Sequence, residues 1–427
     1  MSAHNRAVAV IAVVAALALG FLALAGSAWH PVVAGLAGNS DLGQTSEFDG
    51  TTPSPVGAFY TPPTPLPEIA PGAVLKSEPI PEAPPGVRAW RVMYVSLDNN
   101  GQPIPITAYY AEPDRQTLTG FPLVALAHGT TGLAPACGMS QAPFTAGTTG
   151  YEYWNFLGRQ LVANGYAIVV TDYEGMGAPG TPTYLLRKQG YDLLDSVRAA
   201  IRLRPQTVNA QNVGLIGHSE GAYTVLAAAD MAAAYAPDLM IRGAVSIAPG
   251  GVPAIPFAID SLVASSGASG PGPRNGYFTY LVSSWSASYP ELLPLDSILT
   301  PEGMTAIPAA VGQCQGQIIN TLNQPMTNYF KTDLPLELVT VAARNQPITT
   351  RTAIPTLIVQ GELDKGIVPQ VTRGFANLMC DYGSTVEYRQ LSGDVHRSSV
   401  FSSVPLWTDY FDARFAGEPA PSTCKGL

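Results

Sequence analysis

The chain has 427 residues, of which 46% are hydrophobic, and it carries a formal net charge of −9 at pH 7. An acidic chain without a cluster of basic residues is unsuited to nucleic acid and to electrostatic docking on anionic lipid, so we expect neither partner. The length exceeds the roughly 150 residues of a simple domain, and the hydrophobic content supports a large folded core with insertions.

The first 28 residues have the pattern of a secretory signal peptide. A short, weakly basic start at residues 1–6 precedes an uncharged apolar run, residues 7–28, which ends in small residues. We therefore expect a protein that is secreted or held in the cell envelope. The run approaches the roughly 20 residues that span a bilayer, so an uncleaved membrane anchor is the alternative.

Residues 29–86 form a proline-rich segment. Prolines are dense from about residue 50 to residue 86, as in YTPPTPLP at residues 60–67, and apolar periodicity is absent there. This composition predicts extended, polyproline-like chain. A spacer through a cell envelope and an arm lying across the folded domain both fit the pattern. We expect the folded domain to begin near Val87 and to run to residue 427.

From Val87 onward the pattern predicts strands that alternate with helices. Residues 87–110 predict a hairpin with its turn at residues 98–101 (DNNG). Further strands are predicted at residues 121–127, 166–172, 213–216, 242–248, 355–360 and 386–391, and helices at residues 153–164, 191–203 and 222–229. This alternation predicts an α/β fold, in which a mostly parallel sheet carries helices on both faces and functional residues at the carboxyl ends of its strands.

The motif GHSEG at residues 217–221 lies between a predicted apolar strand and a predicted helix. In such a G-x-S-x-G turn the serine is held in a strained, exposed conformation, and the two glycines let the strand and the helix approach each other. The motif alone is a weak signal, because short glycine and serine patterns occur by chance. Its position between strand and helix makes Ser219 the candidate nucleophile.

A serine nucleophile needs a histidine base and a carboxylate that orients the histidine. Four of the five histidines are poorly placed: two lie in or beside the N-terminal apolar run, one inside the elbow and one at the end of a strand (His4, His30, His218 and His128). His396 lies in a polar loop after the predicted strand 386–391, so it is the candidate base. A solvated loop histidine is the alternative interpretation.

The candidate acid is Asp364, which follows the predicted buried strand 355–360 and would lie at its carboxyl end. Glu362 and Asp394 are the rivals. Glu362 comes sooner after the strand and would point elsewhere, whereas Asp394 is only two residues from the histidine and poorly placed to reach its far nitrogen. An aspartate that only caps a turn is the structural alternative. The chain order of nucleophile, acid and histidine is that of α/β-hydrolases.

An oxyanion hole requires two backbone N–H groups aimed at the developing negative charge. We expect one from Glu220, the residue after the nucleophile. The other is expected from residues 128–132 (HGTTG), which follow a predicted strand and resemble the His-Gly oxyanion loops of esterases, with Thr130 as the donor. A plain turn after the strand is the alternative.

Residues from about 250 to 350 break the alternation of strands and helices. They contain a flexible stretch at residues 264–273, aromatic residues around 277–280 and Trp285, and amphipathic pieces. An insertion at the mouth of the site is well placed to act as a lid or cap, although a purely structural subdomain also fits. Its apolar and aromatic content favours an apolar, acyl substrate.

Together these residues resemble the secretory lipase family of α/β-hydrolases, which includes fungal lipases of the lipase A type and actinobacterial exported esterases. The resemblance runs from about Val87 to the C-terminus. It is carried by residues 172–177 (DYEGMG), the elbow at Ser219, residues 361–364 (GELD) with the following Val-Pro pair, and His396. The resemblance implies the α/β-hydrolase fold with a largely helical lid, a Ser–Asp–His triad and hydrolysis of acylglycerols or related esters.

The four cysteines are an even set in a chain that we expect to be exported: Cys137, Cys314, Cys380 and Cys424. Disulfides are therefore favoured over a metal site, for which neither the spacing nor clustered histidines are present, and no cofactor is expected. Four cysteines allow three pairings. The family resemblance implies that residues 137 and 314 tie the lid to the core, and that residues 380 and 424 tie down the C-terminus.

We therefore predict an exported serine hydrolase that cleaves carboxylic esters of lipids through an acyl-enzyme at Ser219. A cell-envelope acyltransferase would use the same intermediate, and an inactive hydrolase fold that serves as a binding module is a further alternative.

Glu220 departs from the family, in which many members carry Gln or Gly at this position. A carboxylate facing solvent would be passive, and a buried one would be protonated and would alter the pH profile. We expect Glu220→Gln to leave activity at pH 7 largely intact. A loss beyond about tenfold, or roughly 1.4 kcal/mol of barrier, would contradict a passive role.

Overall fold

The computed structural model describes residues 56–251 and 274–427. The predicted signal peptide, the first part of the proline-rich segment and the flexible stretch at residues 264–273 lie outside the described residues. Within the two described ranges, no helix is both long enough and apolar enough to cross a membrane.

The described part of the chain builds one nine-stranded sheet. Its strands are β1 (Val74–Pro79), β2 (Val87–Leu97), β3 (Pro103–Pro113), β4 (Phe121–Ala127), β5 (Ala167–Thr171), β6 (Val208–His218), β7 (Ile241–Ile247), β8 (Thr356–Gly361) and β9 (Val386–Leu391). Their order across the sheet is β1-β2-β3-β5-β4-β6-β7-β8-β9. The pairs from β1 to β5 are antiparallel, and those from β5 through β4 to β9 are parallel. The predicted mostly parallel sheet is confirmed.

Helices cover both faces of the sheet and fill the insertion between β7 and β8. They are α1 (Thr149–Tyr153), α2 (Arg159–Ala163), α3 (Gln189–Leu203), α4 (Glu220–Tyr235), α5 (Arg274–Ser288), α6 (Leu295–Ile298), α7 (Pro301–Val311), α8 (Gln315–Thr321), α9 (Met326–Tyr329), α10 (Glu337–Arg344), α11 (Pro369–Asp381), α12 (Ser398–Ser402) and α13 (Val404–Phe415). A π-helical turn, Trp154–Gly158, joins α1 to α2. The helices α5 to α10 are called the helical insertion below.

Strand β4 shows why the central strands read as continuous apolar runs. Leu123 and Ala125 pack with α3 and α4 on one face of the sheet, whereas Val124 and Leu126 pack with α2 and α13 on the other. A strand buried on both faces has no polar side, so it loses the alternation of a half-exposed strand. Full burial of each such leucine or valine stabilises the fold by about 1.5–3 kcal/mol.

We expected the folded domain to begin near Val87, but it begins earlier in the chain. Strand β1 pairs antiparallel with β2 at the edge of the same sheet. Upstream of it, the buried Tyr60 hydroxyl lies 3.0 Å from Ser140 Oγ. The described end of the proline-rich segment is thus an arm across the domain. The six-residue strand ends at Pro79, and an edge strand tolerates proline because its outer side forms no ladder hydrogen bonds.

Two disulfides connect distant parts of the chain. Cys137 pairs with Cys314 across 177 residues, which joins the loop after β4 to the start of α8 in the helical insertion. Cys380, near the end of α11, pairs with Cys424 across 44 residues. These are the pairings that the family resemblance implies.

Candidate active site

Ser219 lies at a sharp turn between the end of β6 and the start of α4. Its φ of 57° and ψ of −117° are strained for a residue with a side chain. A Cβ added to Gly217 would collide with the Gly221 carbonyl, and one added to Gly221 would collide with the Ala127 carbonyl. Only glycine fits at both positions, which is why the sequence G-x-S-x-G folds into this turn.

Backbone hydrogen bonds from the neighbouring strand hold the turn. The Ser219 N–H donates to the Ile247 carbonyl at 2.9 Å, and the Gly250 N–H donates to the Ser219 carbonyl at 3.1 Å. The serine side chain is half-buried. The turn is therefore fixed at the carboxyl ends of β6 and β7 while the side chain keeps access to solvent.

His396 and Asp364 form a direct pair at the carboxyl ends of β9 and β8. His396 Nδ1 lies 2.7 Å from Asp364 Oδ2, and the two residues are 8% and 3% exposed. Asp364 Oδ1 accepts hydrogen bonds from the N–H groups of Gly366 and Ile367, both at 2.8 Å, and the Gln360 amide donates to Oδ2 at 3.1 Å. These donors hold the carboxylate in one orientation against the histidine.

The rival acids do not contact His396 through their side chains. Glu362 is exposed and accepts hydrogen bonds from Ser392 Oγ and the Gly393 N–H. Asp394 accepts hydrogen bonds from the hydroxyls of Ser398 and Ser402, the first and last residues of α12. Both carboxylates therefore bridge turns, and of the three candidate acids the structure brings only Asp364 to the histidine.

The residue before the nucleophile connects the turn to the histidine loop. His218 Nε2 lies 3.2 Å from the His396 carbonyl oxygen, and the two imidazole rings are 4.5 Å apart. Burial, with a smaller contribution from His396, lowers the pKa of His218 well below its usual value, so this ring is neutral at pH 7. A neutral imidazole can donate to the carbonyl without placing a second charge beside His396.

The loop after β4 lies against the turn. A Cβ added to Gly129 would be 3.3 Å from the Cβ of Ser219. The Gly129 N–H donates to Tyr153 Oη at 2.6 Å, so it is already engaged. Within the described chain, neither the Thr130 N–H nor the Glu220 N–H is paired with an acceptor. The structure thus leaves the two expected oxyanion donors available.

Two tyrosines hold His128 and the start of this loop. The His128 ring stacks on Tyr173 at 4.4 Å and meets Tyr153 edge-on at 5.8 Å. The Tyr173 hydroxyl donates to the His128 carbonyl at 2.8 Å. Burial lowers the pKa of His128 to about 4, so the ring is neutral at physiological pH. His128 therefore acts as a packed core residue that fixes the loop.

Glu220 is 1% exposed, so the alternative of a carboxylate facing solvent is excluded. Gln189 Nε2 donates to its Oε1 at 2.8 Å. Burial raises the pKa of the Glu220 carboxyl to about 8, with hydrogen bonding from Gln189 and Thr130 acting in the opposite direction. Sequence reasoning did not identify Gln189, because its contact joins positions 31 residues apart.

The DYEGMG turn contributes through its aspartate. Asp172 accepts hydrogen bonds from the Ser140 N–H at 2.8 Å, from Thr107 Oγ1 at 2.6 Å and from Ser140 Oγ. Burial raises the pKa of Asp172 to about 6. The motif thereby fixes the segment that follows Cys137 and has a structural role.

The helical insertion is bound to the core beside the turn. It has its own apolar cluster, which also takes in Tyr184, Leu186 and Tyr223 from the core. The Tyr184 N–H donates to Ser284 Oγ at 2.8 Å, and Tyr223 Oη donates to the Asn345 carbonyl at 2.7 Å. An apolar layer of the insertion therefore lies against the segment before α3 and against α4, the helix that follows the candidate nucleophile.

This architecture, with a serine at a strand-to-helix turn in the middle of a mostly parallel sheet, defines an α/β-hydrolase. The family model described as Secretory lipase matches residues 140–423. The chain therefore belongs to the secretory lipase family, and it is a carboxylic ester hydrolase.

Individual relatives are distant but cover most of the chain. Lipase 10 of Candida albicans is 24% identical over 88% of this chain and 84% of its own length. A protein of Mycobacterium tuberculosis described as a probable inactive lipase is 25% identical over 84% of this chain and 82% of its own length. The crystal structure of Candida antarctica lipase A superposes with a TM-score of 0.72 at 17% identity, covering 87% and 89% of the two chains, which shows the shared fold.

Proposed function

We propose that the chain is an exported lipase or esterase that cleaves lipid esters through an acyl-enzyme on Ser219. The observation that carries this proposal is the fixed pair of His396 and Asp364, 2.7 Å apart, whose loop is tied through His218 to the strained turn that holds Ser219. A strained serine beside an oriented imidazole is what nucleophilic acyl transfer requires.

In this mechanism His396 removes the Ser219 proton as the hydroxyl attacks the ester carbonyl. Asp364 keeps the proton of Nδ1 on the histidine and stabilises the imidazolium that forms. The histidine then protonates the leaving alcohol and later activates the water that releases the acid. The buried donors around Asp364 support this role, because they keep the carboxylate in place through the cycle.

The tetrahedral intermediate would be stabilised by the N–H groups of Glu220 and Thr130. The two groups belong to segments that meet at the Ser219 side chain, and neither is paired with an acceptor within the described chain. Removing one such donor typically costs about 10²–10³ in kcat. The engaged Gly129 N–H supports Thr130 as the second donor.

The proposed substrate is an ester with an apolar acyl group. The buried aromatic side chains of the helical insertion include Phe278, Tyr280 and Trp285, and they belong to one apolar cluster with Tyr223 of α4. We propose that this insertion acts as a lid over the acyl chain. The two disulfides and the signal pattern of residues 1–28 support export.

The test is hydrolysis of p-nitrophenyl esters from short to long acyl chains by the full-length protein and four variants. Ser219→Ala and Asp364→Asn should each lower kcat by about 10³-fold or more. The first removes the nucleophile, and the second removes the carboxylate that orients the histidine base. Glu362→Gln and Asp394→Asn are matched controls and should stay within about twofold of wild type. Equal losses for Asp364→Asn and Glu362→Gln would contradict the assigned acid.

The same assay separates the alternatives. Added sugar or lipid alcohols that become acylated in preference to water would identify an acyltransferase. A wild-type protein without turnover on any ester in the series would favour an inactive binding module, which is relevant because one relative is described as probably inactive. We expect hydrolysis, with a preference for esters whose acyl chain reaches the helical insertion.

A further inference from the structure

The carboxyl of Glu220 is enclosed on the side of the turn that faces away from solvent. On one side it meets the Gln189 amide, whose orientation is fixed because its Oε1 accepts a hydrogen bond from the Leu186 N–H at 3.0 Å. The amide nitrogen must therefore point at Glu220, and it donates to Oε1 at 2.8 Å. One carboxyl oxygen is thus satisfied by a neutral donor.

The second oxygen, Oε2, is buried and lacks a hydrogen-bond partner within the described chain. The Thr130 side chain lies beside the carboxyl, and its hydrogen bonding opposes the effect of burial on the Glu220 pKa. The Thr130 hydroxyl is oriented to donate to Tyr184 Oη at 3.1 Å. Because its hydrogen is directed at Tyr184, Thr130 Oγ1 presents lone pairs toward Glu220 and can accept a hydrogen bond.

The surroundings of Glu220 supply no positive charge within the described chain. The titratable groups that influence it are four tyrosines, from the loop after β5, the segment before α3, α4 itself and α5: Tyr173, Tyr184, Tyr223 and Tyr280. Burial raises the pKa of each of these tyrosines well above 10, so all four are neutral. A buried carboxylate without a cation is costly, whereas a carboxylic acid that can donate is not.

We propose that Glu220 acts as a neutral carboxylic acid whose Oε2–H donates to Thr130 Oγ1, so that its side chain positions the second oxyanion donor while its own N–H supplies the first. One residue would then join both halves of the oxyanion hole. This inference rests on the proposed function, since it assigns a positioning role within that same site. The direction of the bond follows from the two neighbours while the carboxyl is neutral, because Gln189 donates to one oxygen and Thr130, which donates its own hydrogen to Tyr184, accepts at the other.

Ionisation of Glu220 would reverse this contact. The carboxylate has no hydrogen to donate, and its negative charge would lie beside the place where the oxyanion develops. Activity should therefore fall as the pH rises through the pKa of the Glu220 carboxyl, which burial raises to about 8. The ordinary serine–histidine mechanism has no such fall, because it requires His396 to be neutral and gains activity toward alkaline pH.

The experiment measures kcat and KM from pH 6 to pH 10 for the full-length wild type, Glu220→Gln and Glu220→Ala. Gln is neutral and keeps one donor and one acceptor, so Glu220→Gln should stay within about threefold of wild type at pH 7. It should also lack the alkaline fall near pH 8 that wild type shows. Glu220→Ala leaves Gln189 and Thr130 without their partner and should lose about tenfold or more in kcat, with KM changed by less than about twofold.

Glu112→Gln is the matched control, because Glu112, in β3, is also buried but is paired with Arg88 of β2 and with Arg204 at the end of α3. This control should keep the alkaline fall. An unchanged fall in Glu220→Gln, or a loss beyond tenfold at pH 7, would overturn the inference.

Two readouts separate this failure from other failures. If wild type hydrolyses esters but the Glu220→Gln profile equals that of wild type, only the positioning role fails. If wild type does not hydrolyse any ester, the proposed function itself fails. Should Glu220→Ala not fold, the comparison of Glu220→Gln with wild type still decides, because it depends on the shape of the pH profile and not on total activity.

Discussion

Two adjacent residues at the start of α3, Lys188 and Gln189, both contact buried carboxyl groups, but the first carries a positive charge and the second is neutral. The Lys188 cluster comprises Lys188, Glu174 and Asp192, and its ammonium lies 2.9 Å and 3.0 Å from the two carboxylates. The Glu220 pocket comprises Glu220, Gln189, Thr130 and Tyr184, and its carboxyl accepts a hydrogen bond from the Gln189 amide and has no cationic partner among the residues that the structure describes. All members of both groups are buried.

The difference shows that the partner, and not burial alone, decides the protonation state. In the Lys188 cluster, burial lowers the pKa of Lys188, but Asp192 and Glu174 more than reverse that effect, so the ammonium stays charged. The pKa of Asp192 is raised to about 6 by burial, which still leaves it ionised at pH 7. In the Glu220 pocket there is no cation to oppose burial. The first group is thus an ion-paired support, and the second is a neutral hydrogen-bonded chain.

Removing the cation from the Lys188 cluster should have the largest effect on stability. Lys188→Met would leave two buried carboxylates without their cation, which typically costs about 3–5 kcal/mol of unfolding free energy. Urea denaturation at pH 7 measures this loss. Lys425→Met, at an exposed lysine near the C-terminus, is the control and should change the free energy by less than about 0.5 kcal/mol. Equal stabilities would show that the cluster does not depend on its charge.

The Glu220 pocket should produce a pH dependence of stability that Glu220→Gln removes. The pKa of Glu220 is about 8 in the folded chain and near 4.5 when unfolded. The folded state therefore holds a proton that the unfolded state releases between these values, and stability falls as the pH rises through that window.

Between pH 6 and pH 8 the unfolding free energy of wild type should fall by about 2 kcal/mol relative to that of Glu220→Gln, because Gln has no proton to release. Denaturant titrations at several pH values provide the measurement. A difference between the two free energies that is constant with pH would mean that Glu220 is already ionised at pH 6, as in an ion-paired cluster.

The Thr130 hydroxyl offers a smaller and more local test. Thr130→Val keeps the backbone N–H and the side-chain shape but removes the acceptor that we assign to Glu220, so kcat should fall by about tenfold, or roughly 1.4 kcal/mol. Thr130→Ser keeps the hydroxyl and should recover activity to within about threefold of wild type. Steady-state kinetics at pH 7 compares the two variants. Equal activities in Thr130→Val and Thr130→Ser would remove Thr130 from the hydrogen-bonded chain.

Much of the fold could be predicted from the sequence because its central strands are buried on both faces. Strands such as β5 and β8 are short apolar runs bounded by turn residues, and helices of ordinary length separate them. Strand β1 was missed because it is a short edge strand flanked by prolines, so no apolar periodicity distinguishes it from extended chain. The sequence pattern therefore predicts the central strands, which are buried on both faces of the sheet, and does not predict the edge strand.

The candidate site divides in a similar way. Ser219, Asp364 and His396 could be selected by motif and chain order, because each follows a strand and parallel strands end at one edge of the sheet. The surroundings of Glu220 could not be selected, since a glutamate in the first turn of a helix is ordinarily exposed there. Its burial depends on Gln189 and on tyrosines from three other segments, and these contacts exist only after the chain has folded.

The central claim, that Ser219 is the nucleophile, is tested most directly by labelling with a fluorophosphonate, which reacts covalently with activated serines. Peptide mass spectrometry of the labelled full-length protein should find one phosphonylated residue, Ser219, and the label should disappear in Ser219→Ala. Absence of labelling in the folded wild type, or undiminished labelling of Ser219→Ala at another serine, would contradict the account.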